Sequence, residues 1–255
     1  MRLFTTISYC IFLLASTSSI AADSKIVTFN SSDNILISAD VYSPHKSSAP
    51  MIVLYHQAGS SRGEYNEIAP RLNKLGFNCL AVDLRSGEFS RGKDNQTAMR
   101  ASNAGLSTSY SDALPDIISA LEYTQKNYPD SKILAWGSSY SAALVLKVAG
   151  DHAELIDGVL AFSPGEYFSH QGKSKTWIRD SAKAINIPVF ITSSKKEKES
   201  WQSIFDVIPS KDKNSFIPAT EGRHGSRALW EKYNDSESYW QAIKQFLLSK
   251  NRVWS

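Results

Sequence analysis

The stretch WGSSYSAAL, residues 136–144, places Ser139 between a short apolar run and an apolar segment with a helical pattern. A serine with a small residue two places before it and two places after it can occupy a sharp strand-to-helix turn that holds its hydroxyl above a sheet. Here those neighbours are Gly137 and Ser141, so the pattern is G-x-S-x-S. The spacing predicts a nucleophile elbow at Ser139, and a serine-rich turn is the alternative.

A serine hydroxyl becomes a useful nucleophile only when a base takes its proton. His224 lies in the segment EGRHGSRALW, a glycine-containing loop between the last predicted strand and a helix, so it can reach across the top of the sheet. We predict His224 as the base. His170, in a polar loop, is the second choice, since His45 lies in a surface-like segment and His152 ends a predicted helix.

The imidazole in turn needs a carboxylate that fixes its tautomer and stabilises its charged form. Glu197 comes a few positions after the predicted strand at residues 188–192, which favours it as the acid. It belongs to the mixed charge run KKEKE, which by itself indicates a solvated loop, so Glu199 is an alternative. Glu166, which follows the preceding strand, is another. The order serine, acid, histidine is the usual one for a nucleophile elbow on a parallel sheet.

Two backbone NH groups are needed to bind the oxyanion that forms when a serine attacks a carbonyl. The turn aims the NH of Tyr140 at that position. The second donor is expected in the loop HQAGSS, where small residues let the backbone approach a substrate: the NH of Ala58, or that of Gln57. His56, at the start of this loop, is interpreted as an architectural residue.

The elements that must position these groups alternate between strands and helices. Two strands, residues 26–29 and 35–42, predict an antiparallel hairpin, and continuous apolar runs at residues 51–55, 78–82, 132–136, 158–162, 188–192 and 215–219 are typical of buried parallel strands. Helical patterns occupy residues 63–76, 111–129, 141–152 and 238–250. This predicts an α/β fold with helices on both faces of one sheet. Residues 85–108 fit neither pattern and are interpreted as a functional loop or lid, or as a partner surface.

The N-terminal 21 residues resemble a secretory signal peptide: Arg2, then an apolar stretch, then small residues at Ser19 and Ala21 before the expected cleavage site. The apolar stretch is too short to span a bilayer, and no later segment comes close. We therefore expect residues 22–255 to form one exported domain, periplasmic or secreted, without an integral membrane segment. The sequence indicates no particular oligomeric state.

Composition and motifs exclude several classes of protein. There are 28 Lys and Arg against 25 Asp and Glu, and the charges are interspersed, so nothing indicates nucleic-acid binding. Removal of the signal peptide leaves Cys79 as the single cysteine, in an apolar context typical of a core residue. Metal-binding, dinucleotide-binding and phosphate-binding motifs are missing, so no metal or cofactor is expected.

Five segments in this order, LYHQAGSSRGEY, VDLRSG, WGSSYSAAL, AFSPGEYF and EGRHGSRAL, resemble the α/β-hydrolase superfamily, and in style its dienelactone-hydrolase-like branch. The resemblance spans nearly the whole mature chain. It implies a mostly parallel, doubly wound sheet of eight strands and a carboxylic-ester hydrolase. Dienelactone hydrolases themselves use a cysteine nucleophile, whereas residue 139 is a serine, which favours a general serine esterase.

The function predicted from these residues is hydrolysis of a small carboxylic ester through an acyl-enzyme. Ser139 attacks, His224 carries the proton, Glu197 orients the imidazole, and the backbone of Ala58 and Tyr140 binds the oxyanion. Two alternatives remain: an amide or peptide hydrolase that uses the same triad, and a catalytically silent hydrolase fold retained for binding.

Overall fold

A computed structural model of the chain describes residues 24–249 and Trp254. The predicted signal peptide, residues 1–21, lies outside the described residues. Eight strands form one sheet: β1 (Lys25–Asn30), β2 (Leu36–Tyr42), β3 (Met51–Tyr55), β4 (Asn78–Val82), β5 (Ile133–Ser138), β6 (Gly158–Phe162), β7 (Val189–Thr192) and β8 (Lys213–Phe216). Their order across the sheet is β1-β2-β4-β3-β5-β6-β7-β8.

The strands pair as the sequence predicts. β1 pairs antiparallel with β2, and β2 pairs antiparallel with β4, whereas all pairs from β4 to β8 are parallel. The mostly parallel sheet of eight strands with an antiparallel N-terminal hairpin is therefore confirmed. Because the carboxyl ends of parallel strands lie along one edge, the segments that follow β3, β5, β6 and β7 meet there.

The described residues contain seven α-helices: α1 (Ile68–Asn73), α2 (Gln96–Asn103), α3 (Leu114–Asn127), α4 (Tyr140–Asp151), α5 (Trp177–Ala182), α6 (Lys198–Val207) and α7 (Ser236–Ser249). Side chains of α3, α4, α5 and α6 pack on one face of the sheet. Those of α1 and α7 pack on the other. Buried strands covered on both faces explain the continuous apolar runs of the central strands.

Several predicted boundaries were wrong. The predicted helix at residues 63–76 is a 3₁₀ helix, Arg62–Tyr65, followed by the short α1. The predicted last strand, residues 215–219, starts at residue 213 and ends at Phe216, because it pairs with β7, which has only four residues. Helices α5 and α6 were not predicted. The whole KKEKE run, which indicated a solvated loop, is helical: it forms the 3₁₀ helix Lys195–Glu197 and the first two residues of α6.

The segment at residues 85–108, predicted to lack regular structure, contains α2. The Asn95 side chain caps this helix by accepting a hydrogen bond from the Ala98 N–H at 2.8 Å. Three arginines of this segment are engaged within the chain. Arg85 forms an ion pair with buried Asp116 at 2.7 Å, Arg91 pairs with Glu67, and Arg100 donates to the Leu36 carbonyl at 2.7 Å. These contacts fix the segment against the body of the domain.

Within residues 24–249, no helix is both long enough and apolar enough to cross a bilayer. Over the same residues, no group of three or more His, Cys, Asp or Glu side chains is placed to hold a metal ion.

Candidate active site

Ser139 occupies the turn between β5 and α4 with the backbone conformation of a nucleophile elbow. Its φ is 61° and its ψ is −119°, a region that non-glycine residues rarely adopt and that costs on the order of 1–3 kcal/mol. The Ser139 N–H donates to the Phe162 carbonyl at 2.8 Å, which continues the β5–β6 ladder into the turn. Its side chain is half-buried, at the first turn of α4. The strained serine is thus held at the carboxyl edge of the sheet.

Ser141, which replaces the commoner glycine of such turns, has a structural role. Its hydroxyl accepts a hydrogen bond from the Ser138 N–H at 2.8 Å and lies 2.8 Å from the Tyr55 carbonyl, to which it donates. It therefore ties the start of α4 to the end of β3. The G-x-S-x-S pattern is compatible with the turn because the second serine finds partners for its buried hydroxyl.

Glu197 and His224, 27 positions apart, are in direct contact: His224 Nδ1 lies 2.5 Å from Glu197 Oε1. Burial raises the pKa of Glu197, but the hydrogen bonds from His224, Ser194 and Ser163 and the charge on His224 outweigh it and hold the pKa at about 2. The carboxylate is therefore ionised and can only accept, so Nδ1 carries the proton. Nε2 is therefore the ring nitrogen that can accept the proton of the nucleophile.

The other candidate acids are placed elsewhere. Both Glu166 carboxylate oxygens accept hydrogen bonds from the backbone N–H groups of Ile178 and Arg179, at 3.0 and 2.9 Å. Glu166 therefore caps the start of α5. Glu199 lies in the first turn of α6 and is exposed. Of the three acids considered, Glu197 is the one that the structure brings to His224.

The other histidines are likewise placed away from this pair. His170 is exposed in a short 3₁₀ helix, and His45 Nε2 bonds to the Asn73 carbonyl at 2.7 Å. His56 is completely buried and accepts from the Leu84 N–H at 2.9 Å. Burial lowers the pKa of His56, which keeps the ring neutral. Its contacts are those of an architectural residue, as the sequence indicated.

The loop that carries His224 is fastened to the residue next to the nucleophile. The Ser226 N–H donates to Ser138 Oγ at 2.8 Å, and the Gly225 N–H donates to Ser163 Oγ at 2.9 Å. Gly225 has a φ of 68°, and a Cβ there would lie 2.6 Å from Ser138 Oγ. Only glycine allows this approach. The imidazole is therefore held beside the elbow, and among the described residues its ring bonds to Glu197 rather than to the Ser139 hydroxyl.

Ser163 is a site residue that sequence reasoning missed. It follows β6 directly, is completely buried and has a φ of 56°. Its hydroxyl donates to Glu197 Oε2 at 3.0 Å and accepts from the Gly225 N–H, so it joins the acid to the histidine loop. The signal available in the sequence was its place at a strand end in AFSPGEYF, three residues before Glu166, the glutamate considered as an alternative acid.

The two candidate oxyanion donors in the loop after β3 are distinguished by their partners. The Gln57 N–H already donates to Glu64 Oε2 at 2.8 Å. That contact leaves the N–H of Ala58 as the candidate donor in this loop. Tyr140, at the first position of α4, has a backbone N–H of the kind that no carbonyl within the helix can bond. Its phenol donates to the Ser86 carbonyl at 3.0 Å and its ring stacks on Tyr110.

A cavity of about 410 Å³ is formed by the 85–108 segment itself, and its lining includes Arg85, Gly87, Phe89, Asn95 and Met99 but none of Ser139, His224 and Ala58. Gly87 packs against the His56 ring and the Ser60 carbonyl, so the cavity borders the loop that carries Ala58. Its volume is within the range of small-molecule sites.

The sequence of the chain matches a known protein family. Residues 46–174, about half of the chain, match the family model described as serine aminopeptidase, S33. The chain belongs to this family of the α/β-hydrolase superfamily. The matched region contains Ser139 and the Ala58 loop and ends before Glu197 and His224. No curated protein matches the chain in sequence.

Solved α/β hydrolases share the architecture at low identity. An esterase from Pyrococcus furiosus is 19% identical, with a TM-score of 0.68 over 89% of this chain and 92% of its own. A dienelactone hydrolase from Anabaena variabilis is 12% identical, with a TM-score of 0.69 over 90% of this chain and 98% of its own. Est1E from Butyrivibrio proteoclasticus, solved with ferulic acid bound, is 14% identical, with a TM-score of 0.67 over 88% and 98%. At such identities the likeness establishes the fold, and the superfamily predicted from the motifs is confirmed.

Proposed function

We propose that this α/β hydrolase cleaves small carboxylic esters by way of an acyl-enzyme. The observation that carries the proposal is the hydrogen bond of 2.5 Å between Glu197 and His224. The loop that carries His224 is bonded to Ser138, which directly precedes the serine in the strained elbow conformation. An ionised acid, an imidazole with a free Nε2 and a projecting hydroxyl are the three groups that nucleophilic hydrolysis requires.

In the proposed reaction, Ser139 Oγ attacks the ester carbonyl carbon while its proton passes to His224 Nε2. The carbonyl oxygen becomes an oxyanion and is bound by the N–H groups of Ala58 and Tyr140. Collapse of the tetrahedral intermediate breaks the bond to the alkoxy group, which takes the proton from the imidazolium and leaves as the alcohol. Water then repeats the sequence on the acyl-enzyme and releases the acid and the free serine. Glu197 stabilises the imidazolium in both halves.

The cavity formed by the 85–108 segment is our candidate for the substrate site, because its Gly87 lies against the loop that carries Ala58. It is lined by the exposed apolar side chains of Phe89 and Met99 and by exposed polar residues such as Glu88 and Asp94. This combination suits an ester with a small apolar part.

A fluorophosphonate probe tests the mechanism, because it forms a stable bond with an activated serine. We expect the wild-type chain to be labelled and Ser139→Ala not to be. Ser249→Ala, an exposed serine at the end of α7, is the matched control and should be labelled like the wild type. Equal labelling of Ser139→Ala and wild type would refute the assignment, and a wild type that is not labelled would favour the silent binding fold.

The family description favours hydrolysis of an amide or peptide bond as the second candidate. The triad chemistry is the same, and the substrate alone differs. Rates on p-nitrophenyl acetate and on alanine p-nitroanilide separate the two. A higher kcat/KM on the ester supports the proposal, and a higher value on the anilide replaces it with an aminopeptidase.

We also propose that the protein is exported, on the strength of the signal-peptide pattern in residues 1–21. N-terminal sequencing of the mature protein from its native source should give a start at residue 22. A start at Met1 would refute export by this route.

A further inference from the structure

Glu64 is a buried carboxylate at the centre of the site that takes no part in the reaction proposed above. It lies in the 3₁₀ helix Arg62–Tyr65 and is completely buried. Oε2 accepts a hydrogen bond from the Gln57 N–H at 2.8 Å, and Oε1 accepts one from Ser138 Oγ at 2.7 Å. Ser138 Oγ in turn accepts from the Ser226 N–H at 2.8 Å. One side chain therefore connects three separate segments.

Each of these segments carries a group that the proposed reaction uses. Gln57 directly precedes Ala58, whose N–H is the candidate oxyanion donor. Ser138 directly precedes the nucleophile, Ser139. Ser226 lies two residues after His224. We propose that Glu64 is a positioning residue that fixes the oxyanion donor, the nucleophile and the base relative to one another, an inference that rests on the proposed ester hydrolysis.

The Gln57 N–H and the Ser138 hydroxyl both donate to Glu64, so the arrangement needs a side chain with two acceptor oxygens. An ionised carboxylate supplies them, whereas an amide or a protonated acid has one acceptor and one donor facing the same two groups. Since the Gln57 N–H can only donate, the remaining oxygen would turn to it and the donor would face Ser138 Oγ. The Ser138 hydroxyl would then lose the acceptor for its own proton, which disturbs its contact with the Ser226 N–H in the histidine loop. The ionised form is therefore the one that the active arrangement requires.

The position of Glu64 is itself fixed on both sides. The Arg62 N–H donates to Asp83 Oδ1 at 2.8 Å, and the Arg62 guanidinium bonds to buried Asp40 at 3.0 Å. Trp230 Nε1 donates to the Glu64 carbonyl at 3.0 Å. A carboxylate held in this way can transmit its position to the loops that it bonds, since side-chain precision depends on a rigid supporting shell.

Stability alone does not explain an acid at this place. Among the described residues, Glu64 forms no ion pair with a lysine, arginine or histidine. The charged group that faces it is the guanidinium of Arg227, and the titratable groups that face it are the phenols of Tyr65 and Tyr140. Burial raises the pKa of Glu64 to about 7, against the hydrogen bonds from Gln57, Ser138 and Ser60 and the Arg227 charge. A buried, unpaired charge is costly to a fold, and strongly perturbed acids occur most often at functional sites.

The first test compares Glu64→Gln with Glu67→Gln on p-nitrophenyl acetate. Glu67, three residues along the same segment, bonds to Arg91 and to the Glu231 N–H instead, so it is a matched control. We expect Glu64→Gln to lower kcat by about 10- to 100-fold, because misplacement by about 1 Å costs up to about 10² in rate, while KM stays close to wild type. Glu67→Gln should keep both constants. A wild-type kcat for folded Glu64→Gln would overturn the inference.

A second variant keeps the test decisive if Glu64→Gln does not fold. Ser138→Ala removes the link between Glu64 and the histidine loop and adds no volume. We expect it to lower kcat in the same way, and a wild-type kcat would again overturn the proposal. Where both variants fold, the double variant should lose less than the two single losses together, because both act through one chain of hydrogen bonds. Independent losses would contradict it.

The acid limb of the pH profile, in which kcat/KM falls as the pH is lowered, gives a readout that a purely structural role would leave unchanged. In the wild type, protonation of Glu64 removes the ionised carboxylate that the arrangement requires and should lower kcat/KM as the pH falls through about 7. In Glu64→Gln no group titrates at this position, so its acid limb should be less steep than that of the wild type. Limbs of equal steepness would refute the role of Glu64. A wild type that neither hydrolyses the ester nor reacts with a fluorophosphonate would instead refute the proposed function, so the two failures are distinguishable.

Discussion

Gly137→Ala is the sharpest test of how the elbow is built. Gly137 lies in β5 two residues before the nucleophile, where α4 passes directly over the strand. A Cβ at this position would lie 2.4 Å from both Ala142 Cα and the Ser141 carbonyl oxygen, and 2.5 Å from the Ala142 nitrogen. All three are backbone atoms of α4, so no side chain can rotate away. The start of the helix must move.

The size of the effect follows from these distances. Restoring ordinary carbon contacts of about 3.5 Å requires a shift of roughly 1 Å at the first turn of α4. Such a shift displaces Ser139 and the N–H of Tyr140 together, and misplacement of that size costs about 10² in rate. Overpacking of this kind costs about 1–3 kcal/mol, which lowers the Tm by roughly 2–12 °C in a domain of this size.

Gly150→Ala is the matched control because it crowds the same helix at its other end. Its Cβ would meet the Ser181 carbonyl oxygen of α5 at 2.0 Å, far along α4 from the elbow. Steady-state kinetics on p-nitrophenyl acetate and thermal unfolding by circular dichroism should give a lower Tm for both variants and a lower kcat for Gly137→Ala alone. A folded Gly137→Ala with wild-type kcat, or an equal loss of kcat in both variants, would refute the reasoning.

Two further predictions concern the acid. Ser163→Ala removes the hydroxyl that joins Glu197 to the Gly225 N–H and leaves that buried N–H unpaired, which should lower the free energy of unfolding by about 1–3 kcal/mol. Urea unfolding should show this loss, and kcat/KM should fall. Wild-type values of both would contradict the role of Ser163 as a bridge. Glu197→Gln should lower kcat by about 10³- to 10⁴-fold, because an amide does not hold the required tautomer. The pKa of Glu197 is lowered from 4.5 to about 2, so its stabilisation is complete above pH 4.5 and is lost as the pH falls toward 2. The difference in unfolding free energy between wild type and Glu197→Gln should therefore shrink over that range, and a constant difference would contradict the shift.

The strands and the nucleophile were predictable because their signals are local. Buried parallel strands leave continuous apolar runs, and the elbow at Ser139 requires small residues at fixed short distances along the chain. Helices α5 and α6 were missed because their apolar faces are short and interrupted by charges. Helix α2 in the 85–108 segment was missed because the order of this segment comes from contacts with distant residues, such as the ion pair between Arg85 and Asp116.

The sequence by itself determined the class of fold, the strained serine and the order of the reacting groups, since each depends on neighbours within a few residues. It left three glutamates open as the acid and two N–H groups open as the oxyanion donor. Only the tertiary structure decided that Glu197 contacts His224 and that the Gln57 N–H is occupied. Ser163 and Glu64 became visible in the same way. The physical reason is that such hydrogen bonds join segments that are far apart in the chain, and the paths of the loops between them leave no periodic pattern in the sequence.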